Sequence, residues 1–245
     1  MRIAIVSDIH GNRTAFEAVL ADLKQTSPDL ILHGGDLADS GASPAEIVDR
    51  IRELGWDGVV GNTDEMLFAP ESLRQFAKQS PGLQSVVAVV EEIAAATRES
   101  LGDARLAWLR ELPRVQTHGP MTLLHASPKS LWHAPSPEAG DTELESAFGS
   151  LDTPISIYGH IHCAYVRNLP QRIVANTGSV SLSYDGDRRA AYLLLDDANP
   201  SIRRVAYDLD KELKALASCP LPHTEWLAKT LQMARPQMPA AMSSN

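Results

Sequence analysis

Two features of the sequence predict an α/β fold. Short apolar runs rich in Val, Ile and Leu alternate with segments whose apolar residues recur at helical spacing. Five of these runs are followed directly by short polar clusters, which places the clusters at the carboxyl ends of buried strands. Ligands bind at that edge of open α/β sheets, so the pattern also predicts a functional site there. With 245 residues, 44% of them hydrophobic, the chain can bury the core of one main domain.

The beginning of the chain is predicted to form a βαβαβ unit. Ser43 is the expected N-cap of its second helix, and Pro44 occupies the first helical turn, where proline is favoured. The segments are a strand over 2–7, a helix over 13–25, a strand over 29–33, a helix over 44–54 and a short strand at 59–60.

Residues 70–112 are predicted to be helical. Gly82 and Gly102 punctuate this region, and Pro113 ends it. The helices are expected near 71–79, 84–100 and 103–112.

From residue 114 onward the pattern is mainly that of strands, with one helix near 141–149. The turn Asp185-Gly186-Asp187 is expected to join two strands in a hairpin or meander. The predicted organisation is a main domain over 1–207 with a helical insertion at about 70–112, a helical extension over 208–235, and a disordered tail over 236–245.

The polar clusters contain carboxylate, imidazole and amide groups, which suit divalent Mn, Fe, Zn or Ni better than soft metals that prefer thiolates. One such cluster alone is typical of a turn or of a surface pair. A set of strand-end caps would favour Ser, Asp, Asn and Gly and has no need of four histidines. Five clusters in series therefore predict a metal site. The clusters are Asp8-Ile9-His10, Gly35-Asp36, Gly61-Asn62-Thr63-Asp64, His125 and Gly159-His160-Ile161-His162.

This series of clusters resembles the calcineurin-like metallophosphoesterases, and in particular their small bacterial and archaeal phosphodiesterase-like branch. The family pattern is D-x-H, GD, GN-H-[DE], a lone H and GH-x-H, and the resemblance covers roughly residues 1–207. It implies a four-layer α/β/β/α sandwich of two mixed sheets. It also implies a dinuclear metal site at the carboxyl-terminal edge of the strands.

The resemblance implies a role for each polar residue. One divalent ion would be held by Asp8, His10 and His162, and the other by Asn62, His125 and His160, with Asp36 bridging both. A hydroxide bridging two such ions attacks phosphorus in line. The catalytic residues expected on this basis are Asp36, Asn62 and Asp64.

The chain departs from the family pattern at Thr63, where the family usually has a histidine paired with the acid that is Asp64 here. That histidine can protonate the leaving group or stabilise negative charge. Without it, esters with acidic leaving groups become the better substrates, so we expect a small phosphodiester or a nucleotide. The alternatives are a phosphomonoesterase or protein phosphatase, and a catalytically weak metal-binding scaffold of the same fold.

The residues that contact the substrate are harder to predict. Asn12 could face a phosphate at a helix N-terminus or serve only as an N-cap. Lys129, His133 and Arg167 could reach a phosphate or be solvated loop charges, and His133 is a possible replacement proton donor. Asp39 could orient a ligand or sit in a turn.

Charge and hydropathy exclude other functions. The net charge of −9 and the lack of a dense basic face argue against an extended nucleic acid, although they allow a small phosphorylated substrate. Apolar runs of membrane-spanning length are missing, and the first residues enter a strand that carries site residues. We therefore expect a cytoplasmic protein without a signal peptide, while the oligomeric state is left open.

Overall fold

A computed structural model describes residues 1–239, and these form two mixed five-stranded sheets. The first sheet has the strand order β10-β9-β1-β2-β3, and the second has the order β4-β5-β6-β8-β7. The predicted α/β class with two mixed sheets is thus confirmed. The strands are β1 (Arg2–Val6), β2 (Leu30–His33), β3 (Asp57–Gly58), β4 (Val115–His118), β5 (Met121–Leu124), β6 (Ile155–Tyr158), β7 (Tyr165–Asn168), β8 (Ile173–Asn176), β9 (Ala190–Asp196) and β10 (Asn199–Val205).

The helices agree closely with the predicted segments. Ser43 and Pro44 begin α2 as expected, and Gly55 ends it in a left-handed conformation. A 3₁₀ turn spans Pro81–Leu83. The helices are α1 (Arg13–Thr26), α2 (Pro44–Leu54), α3 (Asn62–Phe68), α4 (Glu71–Gln79), α5 (Gln84–Glu111), α6 (Asp141–Phe148), α7 (Leu209–Ser218) and α8 (Thr224–Met233).

The two sheets face each other across an aliphatic core. Ile5 and Leu193 contribute to it from the first sheet, and Leu123 and Ile157 contribute from the second. Because successive side chains of a strand point to opposite faces, the remaining strand residues pack outward against helices. On the first sheet these helices include α1, α2 and α5, and on the second sheet the helix is α6.

The C-terminal helices α7 and α8 form a third core with α5. Leu216 and Leu227 pack there against Ile93 and against Leu182, which lies in the loop before β9. A buried carboxylate also ties α7 to the first sheet's helices, because Glu212 accepts a hydrogen bond from the backbone of Thr14 (3.4 Å). The C-terminal segment is therefore held against the main domain.

Two sequence predictions differ from the structure in detail. The turn Asp185-Gly186-Asp187 does not join a hairpin, because β8 lies in the second sheet and β9 in the first; the hairpin forms between β9 and β10. The helices expected near 84–100 and 103–112 both form within α5, and the predicted break at Gly102 is present as a non-helical residue with φ of 68° and ψ of 168°. The strand expected at 59–60 occupies 57–58 instead.

The predicted tail begins in a defined position. In the tail, the carbonyl of Gln237 accepts a hydrogen bond from the indole of Trp226 (2.9 Å), and just before the tail the carbonyl of Ala234 accepts one from the backbone of Gly186 (2.9 Å). Residues 240–245 of the predicted tail lie outside the described residues.

Candidate metal centre

Parallel pairing brings the predicted ligands to one edge of the molecule. Strands β1, β2 and β3 run parallel in the first sheet, and β5, β6 and β8 run parallel in the second. Their carboxyl ends meet where the two sheets face each other. We call the seven predicted ligand residues that meet there the metal centre; they are Asp8 and His10 after β1, Asp36 after β2, Asn62 at the start of α3, His125 after β5, and His160 and His162 after β6.

Four residues of the metal centre form one compact group. Ligand atoms of Asp8, His10, Asp36 and His162 all lie within 4.8 Å of one another, and all four residues are buried. His162 Nε2 lies 3.1 Å from Asp8 Oδ1, and His10 Nε2 lies 3.7 Å from Asp36 Oδ2. This group contains the three ligands expected for one ion together with the expected bridge.

In the other three residues, two histidine rings approach the side-chain oxygen of Asn62. Asn62 Oδ1 lies 2.8 Å from His125 Nε2 and 2.8 Å from His160 Nδ1. His125 Nε2 is also 3.4 Å from Asp36 Oδ2. The Asp36 carboxylate therefore lies between the two groups.

Backbone carbonyl groups orient three of the four histidine rings of the metal centre. The Nδ1 atoms of His10, His125 and His162 face the carbonyl oxygens of Asp39 (2.9 Å), Gly34 (2.8 Å) and Leu182 (2.6 Å). A carbonyl only accepts, so each Nδ1 carries the proton, and each Nε2 of a neutral ring presents a lone pair to the centre.

The Nε2 atoms of His10 and His162 lie only 3.2 Å apart. In neutral rings of this tautomer, both atoms are acceptors and repel each other. A divalent cation that accepts both lone pairs removes the repulsion. This contact, together with the oxygen and nitrogen donor set, fits a borderline divalent metal.

The pKa values respond to burial and to the Asp36 carboxylate. Burial lowers the pKa of His160 to about 3, with a further contribution from His125, and burial also lowers the pKa of His10. Burial acts in the same direction on His125, but the Asp36 carboxylate outweighs it and raises that pKa to about 9. Burial opposes ionisation of Asp36, yet His125 and His10 hold the pKa of this carboxyl well below its usual range. Burial likewise opposes ionisation of Asp8, but His162 lowers the pKa of that carboxyl as well, so the metal centre keeps two ionised carboxylates, Asp8 and Asp36, among its histidines.

Five of the seven residues have a left-handed backbone, with φ of 57° at Asp8, 47° at His10, 54° at Asp36, 68° at His160 and 55° at His162. This conformation costs a non-glycine residue on the order of 1 kcal/mol. Such strain persists where the surrounding structure fixes it, and it is typical of functional sites. The strain has no signal in the sequence beyond the polar residue types themselves.

Asp64 has a positioning role in the structure. Its carboxylate accepts hydrogen bonds from the backbone N–H groups of Asp36 (2.8 Å), Leu37 (2.9 Å) and Gly61 (3.1 Å), so both of its oxygens are directed to the loop after β2. The side chain is fully buried. Burial and the neighbouring Asp36 raise its pKa to about 6. Direct participation of Asp64 in catalysis, which was predicted, does not fit this placement.

A cavity of about 300 Å³ opens onto the metal centre. Thr63 lines it. The backbone N–H of Thr63 donates to Asp36 Oδ1 (2.9 Å). Asp39 also lines the cavity; burial raises the pKa of its carboxyl to about 7, and its backbone carbonyl orients His10.

The structure does not bring the predicted substrate contacts into this cavity. Asn12 is the N-cap of α1, accepting from the backbone of Ala15 (2.9 Å) and donating to Ser181 (3.1 Å). Lys129 and His133 line a separate surface pocket. Arg167 pairs with Asp141 (3.7 Å) and donates to the carbonyl of Ala139. These side chains were predicted as substrate contacts because of their charge or their position in a loop. Their hydrogen bonds and packing hold them away from the cavity.

The cavity contains residues that sequence reasoning missed. Tyr184 stacks on the His162 ring, with centroids 4.6 Å apart, and Trp226 reaches the cavity from α8. Trp132, by contrast, packs on Phe76 in the separate surface pocket. No local pattern distinguishes a cavity aromatic from one in a core.

The comparisons agree with this geometry. The family model of the calcineurin-like phosphoesterase superfamily domain matches residues 1–199. The chain belongs to this superfamily. The resemblance predicted from the five polar clusters is thus confirmed.

Three similar proteins match this chain over nearly their whole length. MJ0912 of Methanocaldococcus jannaschii is 30% identical over 256 residues, which cover 95% of this chain and 98% of that protein. A metallophosphoesterase from Sphaerobacter thermophilus has a crystal structure similar at a TM-score of 0.77, with 27% identity over 96% of this chain and 100% of that chain. PH1004 from Pyrococcus horikoshii OT3 shares the fold, with a TM-score of 0.80 and 17% identity over 94% of this chain and 97% of that chain. The similarity therefore extends into the C-terminal helices.

No helix within residues 1–239 is long and apolar enough to cross a membrane.

Proposed function

We propose that the protein is a metal-dependent phosphoesterase that hydrolyses a small phosphodiester, with two divalent cations held by the metal centre. The observation that carries the proposal is the position of Asp36, whose carboxylate lies between the Asp8, His10, His162 group and the Asn62, His125, His160 group. A carboxylate shared by two cations holds them at the separation that suits an in-line displacement at phosphorus. The identity of the ions is proposed from donor chemistry as Mn, Fe, Zn or Ni.

The bound cations would supply a nucleophile at neutral pH and neutralise charge on the phosphoryl oxygens. The residues of the chain would hold the cations in place and orient the substrate. Asn62 contributes a neutral oxygen, which preserves more of a cation's Lewis acidity than another carboxylate would. Asp64 accepts a hydrogen bond from the backbone N–H of Asp36, and backbone carbonyl oxygens accept hydrogen bonds from three of the histidine rings.

The lack of an imidazole at Thr63 supports a diester with a good leaving group. Thr63 carries a hydroxyl that cannot supply a proton near neutral pH as an imidazolium can. A leaving group that departs readily as an anion needs such a proton least. A serine or threonine phosphate, whose leaving group is an alkoxide, needs it most.

A scaffold that has lost turnover is less well supported by the site. All seven ligand positions hold competent residue types, and three histidine rings retain their orienting hydrogen bonds. Loss of function removes the need for such a set.

Asp36→Asn tests the proposal. Asparagine keeps the shape of the side chain but offers a neutral amide to two cations, so we expect loss of at least one metal per chain. We also expect hydrolysis of bis(p-nitrophenyl) phosphate with Mn²⁺ to fall by more than about 10³-fold, since a metal contributes several kcal/mol of transition-state stabilisation.

The matched control is Asp57→Asn, which changes an exposed aspartate of the same sheet. It should retain metal content and activity. Full activity and two metals per chain in Asp36→Asn would show that the metal centre is assigned wrongly. Equal rates with and without metal in the parent would exclude the proposed chemistry.

A further inference from the structure

The cavity above the metal centre has a floor and walls of opposite character. Its floor is polar and consists of ligand residues. Those residues are His10, Asp36, Asn62, His160 and His162. Its walls are largely apolar and come from α5, from the loop before β9 and from α8. The side chains that carry the argument are Val86, Val90, Leu182, Tyr184, Trp226 and Leu227, which we call the apolar wall.

The apolar wall begins directly at the metal ligands. Tyr184 stacks on the ring of His162, with an interplanar angle of 29°, and the carbonyl of Leu182 accepts from His162 Nδ1 (2.6 Å). Leu182 and Leu227 are buried in the core that joins α5 to the C-terminal helices. Trp226 is tied by its indole N–H to the carbonyl of Gln237 (2.9 Å). The wall is therefore a fixed surface that continues from the metal centre.

The cavity carries no cationic side chain to match a polyphosphate. Among the described residues, no Lys or Arg lines it, and its carboxylates are Asp36 and Asp39. The sequence after residue 239 contains no Lys or Arg either. Recognition of several phosphates in proteins relies on Arg and Lys groups. The side chains within residues 1–239 that line this cavity offer nothing equivalent.

The rim of the cavity is apolar as well. Leu83 is 38% exposed and Met238 is 61% exposed, and both side chains line the opening. An exposed large aliphatic side chain is unremarkable singly. Here two of them border an apolar wall that ends at a polar floor, which is the arrangement expected for a ligand with one charged and one apolar part.

We infer that the cavity selects phosphodiesters with a single negative charge and an aromatic or similarly sized apolar ester group. The phosphate contacts the metal centre, and the apolar group packs against the wall formed by Val90, Tyr184 and Trp226. Diesters with small alkyl groups bind less well because they bury less apolar surface. Nucleoside polyphosphates bind less well because their additional charges have no partner. This inference rests on the proposed function and names its substrate class.

The test is binding of phosphinates, whose two P–C bonds resist hydrolysis. Diphenylphosphinate and dimethylphosphinate carry the same single charge, so their difference reports the apolar part alone. Calorimetric titration of the Mn²⁺-loaded full chain should show diphenylphosphinate binding about 10- to 100-fold more tightly, as burial of one phenyl-sized group predicts. Pyrophosphate serves as the multiply charged probe, and its affinity should be lower than that of diphenylphosphinate.

Two variants of the apolar wall distinguish a loss of packing against the ligand from a loss of the fold. Trp226→Ala removes the largest wall side chain, and Val90→Asn replaces a half-buried valine by a polar side chain of similar size without changing charge. Each should weaken the binding of diphenylphosphinate more than that of dimethylphosphinate, so that the preference falls by about tenfold. Val115→Ala truncates an exposed valine of β4 outside the cavity and should leave the preference as in the parent.

The outcomes distinguish this inference from the proposed function. Equal affinities for the two phosphinates, or a preference unaffected in both wall variants, would overturn the inference even if bis(p-nitrophenyl) phosphate is hydrolysed. Tighter binding of pyrophosphate would also overturn it. A clear preference for diphenylphosphinate without any metal-dependent turnover would support the cavity's specificity while contradicting the proposed function.

Discussion

At the residue scale, Thr63 separates this site from the common pattern of its superfamily. Its backbone N–H is used to hold Asp36, while its hydroxyl has no hydrogen-bond partner among the described residues. The side chain lines the cavity, so a larger group at this position would face the substrate. The acid that pairs with the usual histidine is present as Asp64, but it is engaged by three backbone N–H groups. An introduced histidine would therefore have little help from Asp64 in holding its proton.

Thr63→His tests the role of the missing proton donor. We expect a larger increase in kcat/KM for alkyl phosphodiesters than for aryl ones, because protonation helps most when the leaving group is a strong base. A positioned general acid contributes about 10²- to 10⁴-fold, and only a part of that is expected without support from Asp64. Thr63→Val, which removes the hydroxyl without adding an imidazole, is the matched control. An unchanged alkyl-to-aryl ratio in Thr63→His at equal metal content would contradict the argument.

At the element scale, the loops that follow the strands are packed against one another without spare room. A Cβ built on Gly61 would lie 2.0 Å from Asp36 Oδ1, and one built on Gly159 would lie 2.4 Å from Asp8 Oδ2. The backbone of Gly61 has φ of −96°, which other residues adopt readily, so its requirement is for space alone. These glycines let the loops after β1 and β2 approach the neighbouring loops closely enough to bring their carboxylates together.

Gly61→Ala is expected to push the Asp36 carboxylate out of its bridging position. Overpacking of this kind costs about 1–3 kcal/mol of stability. We expect metal affinity to fall by more than about tenfold, by analogy with loss of a group that positions a ligand. Gly140→Ala is the matched control, because a Cβ there meets nothing within 4 Å. Urea unfolding and metal titration of both variants would measure the two effects, and normal metal binding by Gly61→Ala would count against the geometry.

At the scale of the whole molecule, the metal centre joins the two sheets. Asp8, His10, Asp36 and Asn62 follow strands of the first sheet, whereas His125, His160 and His162 follow strands of the second. Cations held by both sets would tie the sheets together at one edge. Since an unfolded chain does not present this set, metal binding adds directly to the free energy of unfolding.

This linkage predicts a stabilisation by Mn²⁺ that increases with pH. In the metal-free protein the pKa of His125 is raised to about 9, so the ring carries a proton at pH 7, and binding a cation must expel it. As pH rises toward 9 the proton is lost, and the cation binds more tightly. At 100 times Kd the stabilisation is about 2.7 kcal/mol, or roughly 5–10 °C in Tm for a chain of this size.

Thermal unfolding with Mn²⁺ and with a chelator, at pH 6, 7 and 8.5, measures the difference in Tm. The difference should be largest at pH 8.5. His133→Gln is a suitable control, since this exposed histidine lies outside the metal centre. The cation is expected to displace the proton of the His125 ring. A difference in Tm that stays constant or shrinks as pH rises would disprove the assignment of His125 as a metal ligand.

Local signals account for the parts of the fold that were predicted correctly. The boundaries of α2 follow from Ser43, Pro44 and Gly55, all within or next to the helix. The turn at Asp185-Gly186-Asp187 was recognised as a turn, but its partners were wrong. Turn residues specify a change of direction, and they do not specify which sheet the next strand joins, since that depends on packing far along the chain.

The sequence by itself determined the α/β class and the family, and it identified the seven candidate ligand residues that the fold brings together. Metal chemistry restricts each ligand to a few side-chain types, and strand periodicity places those types at one edge, so both are visible in local sequence. Only the tertiary structure decided that Asn12, Lys129, His133 and Arg167 lie away from the cavity and that an apolar wall lies beside the metal centre. The physical reason is that an apolar side chain has the same sequence signature whether it faces a core or a ligand. The choice between them is made by packing between α5, α8 and the loop before β9, which are far apart in the chain.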